Sequence, residues 1–197
     1  LGLGLEGVDL LAHFELGVNS TDLEIGDPSF FDDENERIYA LTASGDFGTV
    51  KLGKDWLPYY NNVGYPVDYF SSIYAGYTTY AFFRERMIAY TTPDFGGASA
   101  TLARIERTGG GPKGWHYTAS YSADKFTSAA GREDMDGDVP DTQGASVSYT
   151  DGAFYGALKV ENNDRDGTIY NAFGQITRGK LTYKAGLGLG DQYSGDT

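Results

Sequence analysis

The chain has 197 residues, of which 40% are hydrophobic, 28 are glycine and 16 are tyrosine, with a formal net charge of −13 and no cysteine. The lack of cysteine excludes disulfides and thiolate chemistry, and the acidic balance argues against a nucleic-acid partner, because phosphate contacts need clustered lysine and arginine. A mean hydropathy of −0.40, with no apolar run near the roughly 18 residues of a spanning helix, excludes a bundle of membrane helices.

The clearest predicted strand runs from residue 6 to residue 18. Alternate side chains from Val8 to Val18 are all apolar, while the other parity is mostly polar and includes His13 and Glu15. Period two predicts a strand, since a helix would scatter the apolar positions around its axis. Its length suits a tilted membrane strand, which needs about 9–11 residues. His13 and Glu15 are therefore predicted to line a lumen.

The segment 57–83 is the most unusual stretch of the sequence. It carries seven tyrosines, among them Tyr59, Tyr65 and Tyr69, and only one acid, Asp68. A loop this long is usually functional or disordered, and its composition is not that of a disordered segment. We expect it to fold inward against cationic side chains and to narrow a pore.

The rest of the chain predicts more short strands and no helix. Together with 6–18 they amount to roughly eleven strands, the others being 37–43, 47–56, 87–91, 98–107, 115–122, 126–130, 145–149, 154–161, 168–176 and 180–189. Short turns alternate with longer loops that are acidic, glycine-rich or, in 57–83, aromatic. Aromatic residues recur near strand ends, as membrane interfaces require: Trp56, Tyr90, Trp115 and Tyr149.

Two all-β architectures fit this pattern. Regular alternation of short turns and longer loops is typical of an antiparallel up-and-down transmembrane β-barrel. A soluble all-β domain with one buried sheet face would alternate its side chains in the same way. The corresponding functions are a passive channel and a secreted module that binds carbohydrate or calcium. No nucleophile with a neighbouring base, phosphate loop or pair of catalytic carboxylates stands out, so we do not expect an enzyme.

Three stretches carry a family resemblance. Residues 36–54 contain the strand, turn and strand with the core FGTVKLGK, residues 55–83 form the long loop, and residues 86–97 read RMIAYTTPDFGG. They resemble the Gram-negative general porins, which are trimeric outer-membrane diffusion channels. The resemblance implies a barrel of roughly sixteen strands around a water-filled lumen, of which a single domain, 1–197, would represent a part, incomplete at both ends.

The resemblance also implies a pore constriction, in which basic wall residues face acids on the inward loop. Lys54, Arg84 and Arg86 match the basic positions, and Asp68 is the loop acid. Strict alternation places both arginines on the face of Ile88, unless the strand has a bulge or begins near Arg86. The implied solutes are small hydrophilic molecules and ions, and the implied partners are a homotrimer, outer-membrane lipid and lipopolysaccharide.

The roles of several other polar and aromatic residues stay open. Lys51, Tyr59, Tyr65 and Tyr69 are predicted to line the pore, where tyrosine faces and hydroxyls suit sugars or other polyols, although the tyrosines could instead pack the loop onto the wall. In an acidic loop, Asp134, Asp136 and Asp138 place oxygen ligands at every second residue, as Ca²⁺ prefers. The alternative there is solvated charge, and no other cofactor is expected.

Overall fold

The computed structural model describes residues 6–16, 36–70, 79–106 and 113–190. These residues form one antiparallel sheet of eleven strands, in which the strands lie side by side in chain order. The strands are β1 (Val8–Leu16), β2 (Glu36–Gly45), β3 (Gly48–Trp56), β4 (Arg84–Thr91), β5 (Ala98–Glu106), β6 (Lys113–Ala123), β7 (Phe126–Met135), β8 (Thr142–Asp151), β9 (Phe154–Asn163), β10 (Gly167–Arg178) and β11 (Leu181–Gly190). The predicted all-β, up-and-down architecture is confirmed. The acidic stretch 19–35 lies outside the described residues.

Two strand pairs extend further than the sequence pattern predicts. Strand β7 continues to Met135, and its Arg132 pairs with Gln143 of β8, so the acidic loop between the predicted strands 126–130 and 145–149 shrinks to six residues. Strands β9 and β10 are joined by only three residues after Asn163. Pairing continues through these polar residues because every second one points to the polar face of the sheet, where a charged residue such as Glu133 finds partners.

The two faces of the sheet differ in polarity and in what covers them. One face keeps large apolar side chains exposed on every strand, such as Leu52, Ile88, Leu102, Leu158 and Leu187. The other face is mostly polar or small, and the segment after β3 packs on it. A soluble sandwich would bury the apolar face instead. Uncovered apolar side chains around the outside of a sheet are the arrangement of a membrane β-barrel.

The packed core lies between the inner face and the long segment, in three clusters. Leu57 packs on Met87, Ala89, Ala103 and Ile105. Further along, Tyr59, Tyr60, Val63 and Ala81 pack on Ala129, and Val67 packs on Ala157 and Phe173. The segment is therefore seated on the wall from strand β4 round to strand β10.

Within the described residues, β1 pairs only with β2 and β11 only with β10. The sheet that these residues form is therefore open at both edges. In the same part of the chain, no helix is long and apolar enough to cross a membrane.

Candidate functional site

The segment between β3 and β4 leaves and rejoins the wall at one point. The amide of Leu57 donates a hydrogen bond to the carbonyl oxygen of Phe83 at 2.9 Å, which closes its neck. The chain then forms a π-helical turn, Tyr60–Gly64, and a 3₁₀ turn, Tyr65–Val67. We call residues 57–83, of which the structure describes 57–70 and 79–83, the inner loop.

Tyr59 seats the inner loop in a gap made by two glycines on the wall. Gly131 and Gly144 are paired across β7 and β8, and a Cβ on Gly144 would meet the Tyr59 hydroxyl oxygen at 2.7 Å. The Tyr59 side chain is fully buried. Its hydroxyl donates to the Glu161 carboxylate at 3.1 Å. Sequence reasoning predicted that Tyr59 lines the pore, but its burial assigns it to anchoring the loop.

Glu161 of β9 is the main acceptor for the inner loop. Besides Tyr59, its carboxylate accepts hydrogen bonds from the Thr79 hydroxyl at 2.8 Å and from the Tyr80 amide at 2.5 Å. The Lys159 ammonium lies 3.1 Å from the same carboxylate, and both side chains are fully buried. A buried carboxylate is stable only with such partners, so the cluster ties both described parts of the loop to one strand.

Glu133 of β7 provides a second anchor. Its carboxylate accepts a hydrogen bond from the Phe82 amide at 3.2 Å, and His116 Nε2 lies 3.4 Å from the same oxygen. A third anchor involves Asn62, whose side-chain amide donates to the Thr118 hydroxyl at 2.9 Å. The backbone carbonyl oxygen of Asn62 accepts a hydrogen bond from the Ser146 hydroxyl. None of these anchors was predicted from the sequence.

A cationic cluster lies where the loop leaves the wall. The Arg84 guanidinium lies 4.8 Å from the centre of the Trp56 ring, and that of Arg37 lies 6.0 Å from it. Arg37 also pairs with Glu15 at 3.1 Å, and His13 Nε2 lies 3.1 Å from the other Glu15 oxygen. The predicted pair His13 and Glu15 thus lies on the inner face, next to an arginine that the sequence analysis missed.

Asp68 is connected to this cationic cluster through Tyr60. The Tyr60 hydroxyl donates to the Asp68 carboxylate at 2.7 Å, and the Tyr60 ring stacks on Trp56 with 5.2 Å between centroids. Burial, and secondly the bond to Asp68, raise the pKa of Tyr60 well above its ordinary value. The Tyr60 hydroxyl therefore remains a neutral hydrogen-bond donor. The stacked rings of Trp56 and Tyr60 lie between the Arg84 guanidinium and the Asp68 carboxylate.

The structure places Lys54 and Arg86 differently from Arg84. They are directly paired between β3 and β4. Both alternate with inward residues: Lys54 precedes the buried Asp55, and Arg86 precedes the buried Met87. Arg86 is exposed on the same face as Ile88. The register thus puts both residues on the outward face, away from the inner loop.

The other residues predicted to line the pore lie on the inner side. Lys51 pairs with Asp55 at 2.5 Å. Tyr65 is 47% exposed, whereas Tyr60, Val63 and Val67 of the same loop are buried. Tyr69 is half-buried and stacks on Phe173 with 5.0 Å between centroids.

One of the three aspartates proposed for calcium is engaged in an ion pair. Asp136 pairs with Arg104 at 2.8 Å, and Asp134 belongs to strand β7. In the ranges that the structure describes, no three His, Cys, Asp or Glu side chains lie close enough together to hold a metal ion. Calcium at Asp134, Asp136 and Asp138 stays a prediction.

The class of protein follows from these features. An up-and-down antiparallel sheet with one uncovered apolar face and a long loop packed on its polar face is typical of a membrane β-barrel channel. The family model for Gram-negative porins matches residues 1–197, and the chain belongs to that family. A search of curated proteins finds no match. The protein is an outer-membrane porin; the soluble binding module is not favoured.

Proposed function

We propose that the protein is a passive diffusion channel for small hydrophilic solutes and ions, and that the inner loop forms its constriction. The observation that carries the proposal is the seating of an aromatic loop on the polar face of a sheet whose other face is apolar and uncovered. A loop held across the interior reduces the open cross-section, so solutes are selected by size without covalent chemistry.

The charged residues that we assign to the constriction are Arg37 and Arg84 on the wall and Asp68 on the loop. Lys54 and Arg86 are left out because their strand register turns them outward. Cations and a carboxylate on opposite sides of a pore set up a transverse field, which filters ions and orients dipolar solutes. Arg84 has no carboxylate within 4 Å among the described residues, whereas Arg37 is paired with Glu15. We therefore assign the dominant charge to Arg84 and expect a preference for anions.

The test compares two arginines that lie two residues apart on one strand. Arg84→Gln removes the charge that we place in the lumen, and Arg86→Gln removes one from the outward face. We expect Arg84→Gln to lower the chloride-to-potassium permeability ratio about two- to fivefold, since a partly screened charge contributes up to about 1 kcal/mol. Arg86→Gln should leave the ratio unchanged. Reversal potentials in a KCl gradient across planar bilayers measure both, and equal shifts for the two variants would contradict the assignment.

We further propose that the sheet is part of a closed barrel, because an open edge leaves backbone amides unsatisfied in lipid, and the family resemblance suggests about sixteen strands. A homotrimer in contact with outer-membrane lipid and lipopolysaccharide is the assembly that the family resemblance suggests. Cross-linking of the full-length protein in membranes would show trimers, and a ladder that stops at monomer would count against them.

A further inference from the structure

A continuous row of aromatic rings lies along the inner loop and ends in a cation on each side. Arg84 lies over Trp56, Trp56 stacks on Tyr60, and Tyr60 meets Tyr65 with 6.2 Å between centroids. Tyr65 meets Tyr69 at 5.3 Å, and Lys184 of β11 places its ammonium 5.9 Å from the centre of the Tyr69 ring. We call these six residues the aromatic row.

The exposure of Tyr65 is not explained by packing. The residue is 47% exposed, while Tyr59, Tyr60, Val63 and Val67 of the same loop are buried. The loop lies on the inner face, so this ring faces the interior of the barrel. An exposed aromatic ring there offers a flat face to whatever passes, and ring pairs gain free energy beyond the area that they bury.

The central hydroxyl group of the row is committed to the protein. The Tyr60 hydroxyl donates to Asp68 at 2.7 Å, and beside the row the Tyr155 hydroxyl donates to the Pro66 carbonyl oxygen at 2.8 Å. Sugar recognition needs free donors and acceptors beside the ring face. The row offers mainly ring faces and positive charge, a combination that suits a flat anion better than a polyol.

The charge at the two ends of the row is positive. Neither Arg84 nor Lys184 has a carboxylate within 4 Å among the described side chains, and Lys184 donates instead to the Tyr69 carbonyl oxygen at 3.1 Å. The one acid on the described part of the loop, Asp68, is engaged by Tyr60. A carboxylate on a passing solute therefore meets a cation at either end of the row.

Resting on the proposed channel function, we propose that the aromatic row is a binding subsite for small aromatic carboxylates. The solute ring lies against Tyr65 and its neighbours, and its carboxylate pairs with Arg84 or Lys184. Binding is weak and reversible, so it raises the local concentration of the solute without trapping it.

The test uses the full-length protein in planar bilayers, with benzoate and the non-aromatic cyclohexanecarboxylate as probes. Both anions carry a six-membered carbon ring and one carboxylate, so they differ chiefly in aromaticity. We expect benzoate to reduce the KCl current of the unmodified protein at a concentration about 2- to 12-fold lower than cyclohexanecarboxylate, the range for one aromatic contact. Tyr65→Leu should abolish this difference, and Tyr65→Phe should retain it. Tyr121→Leu, which removes a 51% exposed tyrosine from the outward face, serves as the matched control and should retain it.

The outcomes separate this proposal from the channel function. A protein with no KCl conductance would overturn the channel and the subsite together. A conducting protein with equal block by the two probes would overturn the subsite alone, whatever the variants show. Block by glucose without block by benzoate would likewise overturn it and assign the row to polyols. Loss of the benzoate preference in Tyr121→Leu would also contradict the role of Tyr65.

Discussion

Arg84 and Arg86 share a parity in the sequence but not an environment. Alternation assigns a face only inside a regular strand, and Arg84 is the first residue of β4. Its guanidinium lies over the ring of Trp56, the last residue of β3. That ring turns inward and stacks on Tyr60. Arg86, inside the strand, keeps the outward parity. The sequence could identify the basic positions, but the separation of the two arginines depends on where pairing begins.

The anchoring glutamates were not recognisable from the sequence. Glu133 and Glu161 occupy inward positions on their strands, where any polar residue of a porin would be unremarkable. Only the contacts with Phe82 and Tyr80, more than fifty residues away in the chain, distinguish them. The one local signal in the sequence is Lys159, two residues from Glu161. Two opposite charges on the same face of a strand, two residues apart, can form an ion pair, as these do.

Glu161→Gln should weaken the seating of the loop and destabilise the protein. A glutamine cannot accept all the hydrogen bonds of the carboxylate and leaves the buried Lys159 without its counter-charge. We expect a loss of roughly 1–3 kcal/mol in the free energy of unfolding, the cost of unsatisfied buried polar groups. Urea titration of the protein refolded in lipid vesicles measures it.

The matched control for Glu161→Gln is Glu106→Gln. Glu106 pairs with Lys113 at 2.7 Å, but both side chains are more than half exposed, and exposed pairs contribute little. A comparable loss of stability in both variants would mean that burial of Glu161 is not what makes it important.

Among the elements, the inner loop was the easiest to predict as an inward-folded segment. The burial of its individual side chains was the hardest to predict. Its length and tyrosine content predicted an inward fold, because so apolar a segment gains by covering a surface. The sequence could not tell buried Tyr59 from exposed Tyr65, since that depends on the glycine gap at Gly131 and Gly144 on strands that come much later.

A designed cross-link tests the position of the loop directly. Residues 1–197 contain no cysteine, so Asn62→Cys with Thr118→Cys introduces one defined pair there. Because the two native side chains are in hydrogen-bond contact at 2.9 Å, a short bifunctional thiol reagent should join them. Tryptic digestion and mass spectrometry would detect the linked peptides, and the KCl conductance should be preserved because the loop already lies there.

The neighbouring pair Asn61→Cys with Thr118→Cys is the control for this cross-link. The Asn61 side chain is exposed and donates to the carbonyl oxygen of Trp56, whereas the Asn62 side chain donates to Thr118, so we expect the Asn61 pair to link less. Equal linking of both pairs would indicate a mobile loop, and failure of the Asn62 pair alone would place the loop away from the wall.

At the scale of the whole molecule, most of the predicted architecture followed from the alternation of apolar and polar residues with a period of two. The strand order and the two chemically distinct faces follow from it, because a one-residue slip would turn every apolar side chain inward. Strand ends were less predictable, since polar residues of β7 and β9 read as loops although they continue the pairing.

The two faces can be tested with adjacent residues at the same depth of β5. Leu102 is exposed on the outward face, and Thr101 lies on the inner face. Leu102→Arg should destabilise the protein in lipid by about 2–4 kcal/mol, the cost of a charge near the bilayer midplane. Thr101→Arg should cost less, mainly its hydrogen bond to Thr91. Folding yields in lipid vesicles compare the two, and a larger defect for Thr101→Arg would reverse the assigned faces.

The inner loop springs from β3 and β4 but rests on β7 and β9, and this has a consequence for biogenesis. We expect the loop to reach its final position only after strands β7 and β9 have paired, because its anchors Glu133 and Glu161 lie on them. In the proposed channel we therefore expect the constriction to form late in folding. Its width should depend on Glu133 and Glu161, which hold the loop from strands β7 and β9, as well as on the loop itself.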